Sequence, residues 1–155
     1  SSDWLGVAIA TDEIADSFKA LTISTFGGNP MSSAAALATL NVIEGDDLAD
    51  NAEKMGNRLR SGLEALQRRF TKIIGDVRGM GLMQGVELVV DEASGDRTPN
   101  PEVTARLFEE TKARGLLIGR GGMHGNVLRI APPLVVSSSD IDEALQILGN
   151  SYAAV

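Results

Sequence analysis

A long amphipathic stripe is the feature that most constrains the fold of this chain. From 48 to 70, apolar residues recur every three or four positions, and most charged residues lie off that line. The stripe consists of Leu48, Ala52, Met55, Leu59, Leu63, Leu66 and Phe70. A repeat near 3.6 residues predicts one helix with a single buried face. Binding to a partner helix is the alternative, but such a stripe more often faces the core of its own domain.

Three more helices are predicted from their start signals. An asparagine directly precedes a proline at 29–30 and again at 100–101, and these pairs suit an N-cap followed by the first helical position. They predict helices over 30–44 and 101–114. Near the end of the chain, Asp140 follows Ser137 by three residues, which resembles a capping box and predicts a last helix.

Short runs that favour strands alternate with these helices. Strands are expected at 4–10, at 116–118 and at 127–130, and a pair of strands is expected within 72–91, turning around Arg78-Gly79. A short helix is expected over 12–21. Helices that alternate with strands across short turns predict an α+β fold, in which a small antiparallel or mixed sheet is covered by helices.

Composition excludes several classes of function. The formal net charge of -7 argues against binding to nucleic acid. There is no cysteine and only one histidine, so neither a disulfide nor a metal site is expected. No apolar run approaches the ~20 residues that span a bilayer. We therefore expect no membrane segment and a soluble intracellular protein, with the cytoplasm as the expected compartment.

The loop from 22 to 30 combines hydroxyl side chains with two glycines. Ser24 and Thr25 precede Gly27 and Gly28, and the helix at 30 follows at once. Glycines let a ligand approach the main chain, and hydroxyls beside free backbone N–H groups suit an oxyanion or a phosphate. The alternative is a capped turn that merely introduces a core helix. These residues by themselves leave both interpretations open.

Arg129 stands in the middle of the apolar strand expected at 127–130. A buried guanidinium requires a partner, and a carboxylate ligand that binds through both oxygens would satisfy it. The alternative is an arginine on an edge strand that points into solvent or pairs with an acidic side chain. The strand pattern does not decide between the two.

Four blocks in fixed order resemble the class III pyridoxal-phosphate-dependent aminotransferases. The blocks are 24–30 (STFGGNP), 75–83 (GDVRGMGLM), 115–121 (GLLIGRG) and 128–134 (LRIAPPL). The resemblance extends from about residue 6 to the end of the chain. It is nearest to the alanine–glyoxylate aminotransferase type, mainly through the fourth block, 128–134.

The resemblance implies a function and a set of site residues. It implies that 1–30 is a remnant of the large cofactor domain, and that 31–155 is the C-terminal small domain of a fold type I enzyme, with a long interdomain helix at its start. The cofactor would be pyridoxal 5'-phosphate. By the matching motifs, Thr25 with Ser24 would bind the cofactor phosphate, and Arg129 would bind the α-carboxylate of the substrate. The substrates would be an amino acid and a 2-oxo acid, and the enzyme would be a homodimer.

The catalytic lysine of that family has no match in this chain. A pyridoxal enzyme needs a lysine that forms a Schiff base with the cofactor. The resemblance places it a few residues before Ser1, and Lys19 stands at the wrong point of the pattern. We therefore expect a C-terminal portion that lacks the large domain and is inactive alone. The alternative is a stand-alone, non-catalytic binding or oligomerisation module that kept the fold.

Overall fold

The computed structural model describes residues 6–21 and 23–155. The chain divides into two compact units, Ser1–Asp46 and Asp47–Val155, and each has its own architecture. No helix in the described residues combines the length and the apolar character needed to cross a bilayer.

The first unit has two helices in its described part, α1 (Asp12–Ser17) and α2 (Pro30–Gly45). The start of α2 confirms the cap prediction, because the Asn29 side chain accepts a hydrogen bond from the backbone N–H of Ser32 at 3.0 Å. Neither helix contains a buried residue. Apolar side chains are nevertheless frequent on α2, and four of the large ones are exposed: Met31, Leu37, Leu40 and Val42.

Two predictions about the first unit were wrong. Residues 6–10, which belong to the strand expected at 4–10, are irregular and exposed, and residues 4 and 5 lie outside the described residues. A strand needs a neighbour for its hydrogen bonds, and no described segment pairs with 6–10. The helix expected over 12–21 ends at Ser17, and its N-cap Thr11 makes no side-chain bond to the helix.

The second unit is an α+β domain, as predicted. Its elements are α3 (Leu48–Arg69), β1 (Ile74–Met80), β2 (Met83–Asp91), a short 3-10 helix (Glu92–Ser94), β3 (Asp96–Pro99), α4 (Pro101–Ala113), β4 (Gly119–Gly121), β5 (Val127–Ile130) and α5 (Ser138–Tyr152). The described strands form an antiparallel sheet in the order β1-β2-β5-β4, and β3 pairs with the far part of β2. Asn100 caps α4, and Ser137 and Asp140 form the predicted capping box of α5.

One face of the sheet carries the core. Helices α3 and α4 pack against the strands, and α5 packs on both helices. Val77, Val86 and Leu128 are register partners across β1, β2 and β5, and all three are buried. The stripe of α3 also contributes, since Leu59 and Leu63 are almost completely buried. Residues that alternate with the buried strand positions face away from the helices.

The β1–β2 hairpin turns later than the sequence predicted. Arg78 and Gly79 lie within β1 and pair with Gly85 and Gln84 of β2, while the turn lies beyond Met80. Gly81 in that turn has a φ of +51°, in the left-handed region that tight hairpins require and that glycine adopts readily.

The prediction of a strand at 116–118 was also wrong. Those residues are irregular, and β4 begins at Gly119. The backbone N–H of Leu116 donates to the carbonyl oxygen of Thr111 at 2.9 Å. This amide therefore closes the C-terminus of α4, and it cannot also join the sheet.

Candidate functional site

Arg129 lies on β5, an inner strand of the sheet, with its side chain on the face opposite the core. Its chain neighbours Leu128 and Ile130 are buried, whereas Arg129 is exposed. The strand alternation accounts for this, because successive side chains point to opposite faces. Arg129 is therefore exposed, as the alternative expected, but it lies on an inner strand rather than an edge strand, since β2 and β4 flank β5. The expectation of a buried guanidinium does not hold.

Two glycines stand beside Arg129 in the sheet. Gly85 of β2 is its register partner on one side, and Gly119 of β4 is its partner on the other. A Cβ built on Gly119 would lie 3.1 Å from Nε, 3.4 Å from Cβ and 3.4 Å from Nη2 of Arg129. The arginine side chain therefore extends over Gly119, across β4. Sequence reasoning missed Gly119, because its proximity to Arg129 depends on the register of two strands.

A cavity of about 570 Å³ opens beside Arg129. It lies between the end of β5, the segment that leads into β4, and the first turns of α5. Its wall is mainly apolar, and its residues include Leu117, Ile118, Ile130, Pro132, Pro133 and Val135. Two charged residues, Arg129 and Asp140, also line it. The arrangement suits a ligand with an apolar part and one anionic group.

Asp140 has hydrogen-bond partners of its own. Its Oδ2 accepts from the Ser137 hydroxyl at 2.6 Å and from the Ser137 backbone N–H at 2.9 Å. These bonds hold the pKa of the Asp140 carboxyl below its ordinary value. Asp140 therefore stays ionised at neutral pH, and it is engaged in capping α5.

A second arginine shares the row of Arg129 but differs in its partners. Arg78 of β1 pairs with Gly85 from the other side, so both arginines flank the same glycine. Arg78 Nη1 lies 2.8 Å from Oδ2 of Asp76 and 2.6 Å from Oε2 of Glu87. Hydrogen bonds to Asp76 and then to Glu87 raise the pKa of Arg78. Arg129, by contrast, has neither an ion-pair partner nor a hydrogen-bond acceptor among the described residues.

Ser24 and Thr25 lie in the first unit, in the turn before α2. Both are exposed, and their hydroxyls make no hydrogen bond among the described residues; Thr22 lies outside those residues. Gly28 has a φ of +68°, and a Cβ on Gly27 would lie 2.7 Å from Oγ of Ser24. The side-chain N–H of Asn29 donates to the Phe26 carbonyl oxygen at 2.9 Å. The turn is thus closed by Asn29, and it leaves both hydroxyls open to a ligand.

Other polar candidates are less well placed. The part of the chain that the structure describes contains no group of three or more metal-ligating side chains. His124 is exposed in the turn after β4. Ser24 and Thr25 belong to the first unit, whereas Arg129, Gly119 and the cavity belong to the second. Of the site residues predicted from the sequence, Arg129 is the one that lines this cavity of the second unit.

The chain is similar to a known family of enzymes. A model of the class III aminotransferase family matches residues 5–151. The chain is 43% identical over 150 residues to alanine–glyoxylate aminotransferase 2 homolog 2, mitochondrial, of Arabidopsis thaliana, covering 96% of this chain and 31% of that protein. It is 40% identical over 144 residues to the alanine/serine racemase of Pyrococcus horikoshii, covering 93% of this chain and 29% of that protein.

A solved structure shares the fold. A phospholyase from Arthrobacter, in complex with phosphoethanolamine, matches with a TM-score of 0.84 and 39% identity, over 94% of this chain and 34% of that chain. This chain thus spans about a third of the length of the relatives it matches. The match to the family model over most of the sequence, joined to this shared fold, shows that the chain belongs to the class III aminotransferases.

Proposed function

We propose that this chain is the C-terminal part of a pyridoxal-phosphate-dependent aminotransferase, which transfers an amino group from an amino acid to a 2-oxo acid. Family membership supports the reaction class. The observation that carries the proposal is Arg129, an unpaired guanidinium among the described residues, beside a cavity whose wall is mainly apolar.

Arg129 binds the α-carboxylate of the substrate in this proposal. A guanidinium presents paired N–H donors that match the two oxygens of a carboxylate. Arg78, on the same row, already donates to Asp76 and Glu87 and is therefore less suited to a new anion. The apolar wall accommodates a small aliphatic side chain, which agrees with alanine as amino donor and glyoxylate or pyruvate as acceptor.

Ser24 and Thr25 bind the phosphate of the cofactor in this proposal. Their exposed hydroxyls and the glycines of the same turn suit a phosphate, which gains charge-assisted hydrogen bonds from such donors. When bound, pyridoxal phosphate supplies the electron sink that stabilises the substrate carbanion. This chain contributes the donors for the phosphate and the cation for the substrate carboxylate, and the phosphate contact would be made across the interface of a homodimer.

The Schiff-base lysine lies outside this chain in our proposal. All four lysines of the chain, Lys19, Lys54, Lys72 and Lys112, are exposed, and none lines the cavity beside Arg129. The chain alone would therefore not transaminate. Transamination by the purified 155-residue chain with added pyridoxal phosphate, at an enzymatic rate, would contradict this point.

The decisive experiment uses the full-length enzyme whose reading frame contains this sequence. Replacing Arg129 by Met removes charged hydrogen bonds worth about 1.5–3 kcal/mol each. We expect kcat/KM for the amino acid to fall about 100-fold or more. A primary amine of the same carbon skeleton, which has no carboxylate, should keep its rate. Arg120→Met, on the neighbouring strand, is the matched control and should leave both substrates unaffected.

A second candidate reaction follows from the relatives. The racemase of Pyrococcus horikoshii is 40% identical to this chain, and racemisation would use the same carboxylate contact. Chiral chromatography of the amino acid, without any 2-oxo acid present, separates the two reactions. Inversion of the α-carbon at a rate above that of amino transfer would favour the racemase.

The stand-alone module is the alternative from another class. Exposed apolar side chains on α2, with no buried residue in the described part of the first unit, favour a fragment that normally packs on a larger domain. Light scattering of the isolated chain tests this, since such a fragment should self-associate. A compact monomer would favour the module.

A further inference from the structure

The absence of a side chain at Gly119 determines where Arg129 can lie. The two residues are register partners on β4 and β5. A methyl group on Gly119 would approach the Cβ, Nε and Nη2 atoms of Arg129 to within 3.1–3.4 Å. The shortest of these distances is tighter than most real Cβ contacts, so the arginine would have to shift by a few tenths of an ångström.

Gly85, the partner of Arg129 on the other side, does not have this relationship. A Cβ on Gly85 would contact Val127 at 3.5 Å and the Arg78 carbonyl oxygen at 3.7 Å, with no Arg129 atom among its nearest contacts. The guanidinium therefore leans toward β4 and away from β2. Arg129 has no hydrogen-bond acceptor among the described residues, and its side chain lies against Gly119.

Gly121 supplies an internal comparison on the same strand. It lies two residues after Gly119 and so faces the same side of the sheet. A Cβ there would meet nothing within 4 Å, and neither Gly119 nor Gly121 has a positive φ. Substitution of either glycine by a larger residue therefore causes no backbone strain. The two positions differ in the presence of the Arg129 side chain.

We propose that Gly119 is a positioning residue for carboxylate recognition. It keeps β4 bare, so that the Arg129 side chain can lie across it with Nε and Nη2 beside Gly119. This inference rests on the proposed function, since it assumes that Arg129 binds the substrate carboxylate. Gly119 itself does not touch the substrate; it acts through Arg129.

The test is a graded series in the full-length enzyme whose reading frame contains this sequence. Gly119→Ala should raise KM for the amino acid about 3- to 10-fold, and Gly119→Val about 10- to 100-fold, since a shift of about 1 Å in a binding group can cost about 100-fold. The inhibition constant of propionate, a simple monocarboxylate, should rise by the same factors. In both variants kcat should change less than KM, and the carboxylate-free amine should keep its KM.

The control is the same pair of substitutions at Gly121. Both should leave KM and the propionate constant within about twofold of the parent, as surface substitutions commonly do. A double variant carrying Gly119→Val and Arg129→Met should bind propionate no worse than Arg129→Met alone, because residues that act through one contact are not additive. Thermal melts show whether each variant is folded.

The outcomes separate the two proposals. If Arg129→Met leaves carboxylate binding intact, the proposed function fails, and this inference fails with it. If Arg129→Met weakens carboxylate binding while the Gly119 variants behave like the Gly121 variants, only the positioning role is overturned. If the Gly119 variants weaken the amine and the amino acid equally, Gly119 is merely structural.

Discussion

Gly56 of α3 and Gly81 of the β1–β2 turn approach each other backbone to backbone. A Cβ built on Gly56 would lie 2.3 Å from the carbonyl carbon and 2.3 Å from the carbonyl oxygen of Gly81. Real Cβ atoms do not come so close to main-chain atoms. The helix therefore contacts the hairpin through two residues without side chains, and there is no room for a side chain at Gly56.

We expect Gly56→Ala to destabilise the second unit. Alanine favours a helix by about 1 kcal/mol over glycine, but overpacking typically costs about 1–3 kcal/mol, and more where backbone must move. Because main-chain atoms must move here, we take the upper end of that cost, and the net loss in the free energy of unfolding should be about 2 kcal/mol. Urea denaturation followed by far-UV circular dichroism measures it.

Gly62→Ala is the matched control on the same helix. A Cβ there would lie 2.2 Å from Cδ1 of Leu145, the end of a half-buried side chain that can rotate away. Both substitutions gain the same helix propensity. Because a side chain rather than the backbone has to move here, the loss in the free energy of unfolding should be less than half of that for Gly56→Ala. Equal losses in the free energy of unfolding for the two variants would contradict the idea that the backbone contact with Gly81 makes substitution at Gly56 more costly.

We expect Tyr152→Phe to stabilise the chain. The hydroxyl of Tyr152 is buried and has no hydrogen-bond partner among the described residues. A buried unpaired polar group costs about 1–3 kcal/mol, so its removal should raise the free energy of unfolding by about 1 kcal/mol. The ring itself must stay, because it stacks on Phe70 with centroids 5.3 Å apart.

Tyr152→Leu tests whether stacking of the Tyr152 ring on Phe70 stabilises the chain. It removes the hydroxyl and the ring together, and should forfeit the aromatic pair, worth about 0.5–1.5 kcal/mol beyond the area buried. Chemical denaturation of both variants gives the comparison. A Tyr152→Phe variant less stable than the parent would point to a hydrogen bond that satisfies this hydroxyl.

We also expect the buried hydroxyl of Tyr152 to make the chain less stable at alkaline pH. Burial raises the pKa of Tyr152 above its ordinary value of 10.0. Above pH 10 the unfolded chain loses this proton while the folded chain keeps it, so the free energy of unfolding falls as pH rises further. Tyr152 is the single tyrosine of the sequence. Unfolding measured from pH 8 to 11 should therefore show a smaller decrease in Tyr152→Phe than in the parent.

We expect Asn100→Ala to weaken the start of α4. The Asn100 side chain accepts from the backbone N–H of Val103 at 3.1 Å, and losing such a cap costs about 1 kcal/mol. Asn100→Ser retains an acceptor at the cap, so its free energy of unfolding should fall by only about a few tenths of a kcal/mol. Similar melting temperatures for the Ala and Ser variants would argue against a capping role.

Local signals predicted several elements well. The stripe of α3, the Asn-Pro starts of α2 and α4, and the capping box at Ser137 depend on neighbours within a few residues, and all of them appear in the structure. The predictions that failed depended on distant partners. The segment at 6–10 has no strand beside it, and the amide of Leu116 is taken by the end of α4.

The sequence by itself determined the family motifs, the helix starts and the identity of Arg129 as the candidate cation, because each is written in a few adjacent residues. Only the tertiary structure decided that Arg129 is exposed on an inner strand, that Gly119 lies beneath it, and that an apolar cavity opens beside it. The physical reason is strand register: pairing β4 with β5 brings together residues ten positions apart, and no local pattern specifies which residues will face each other.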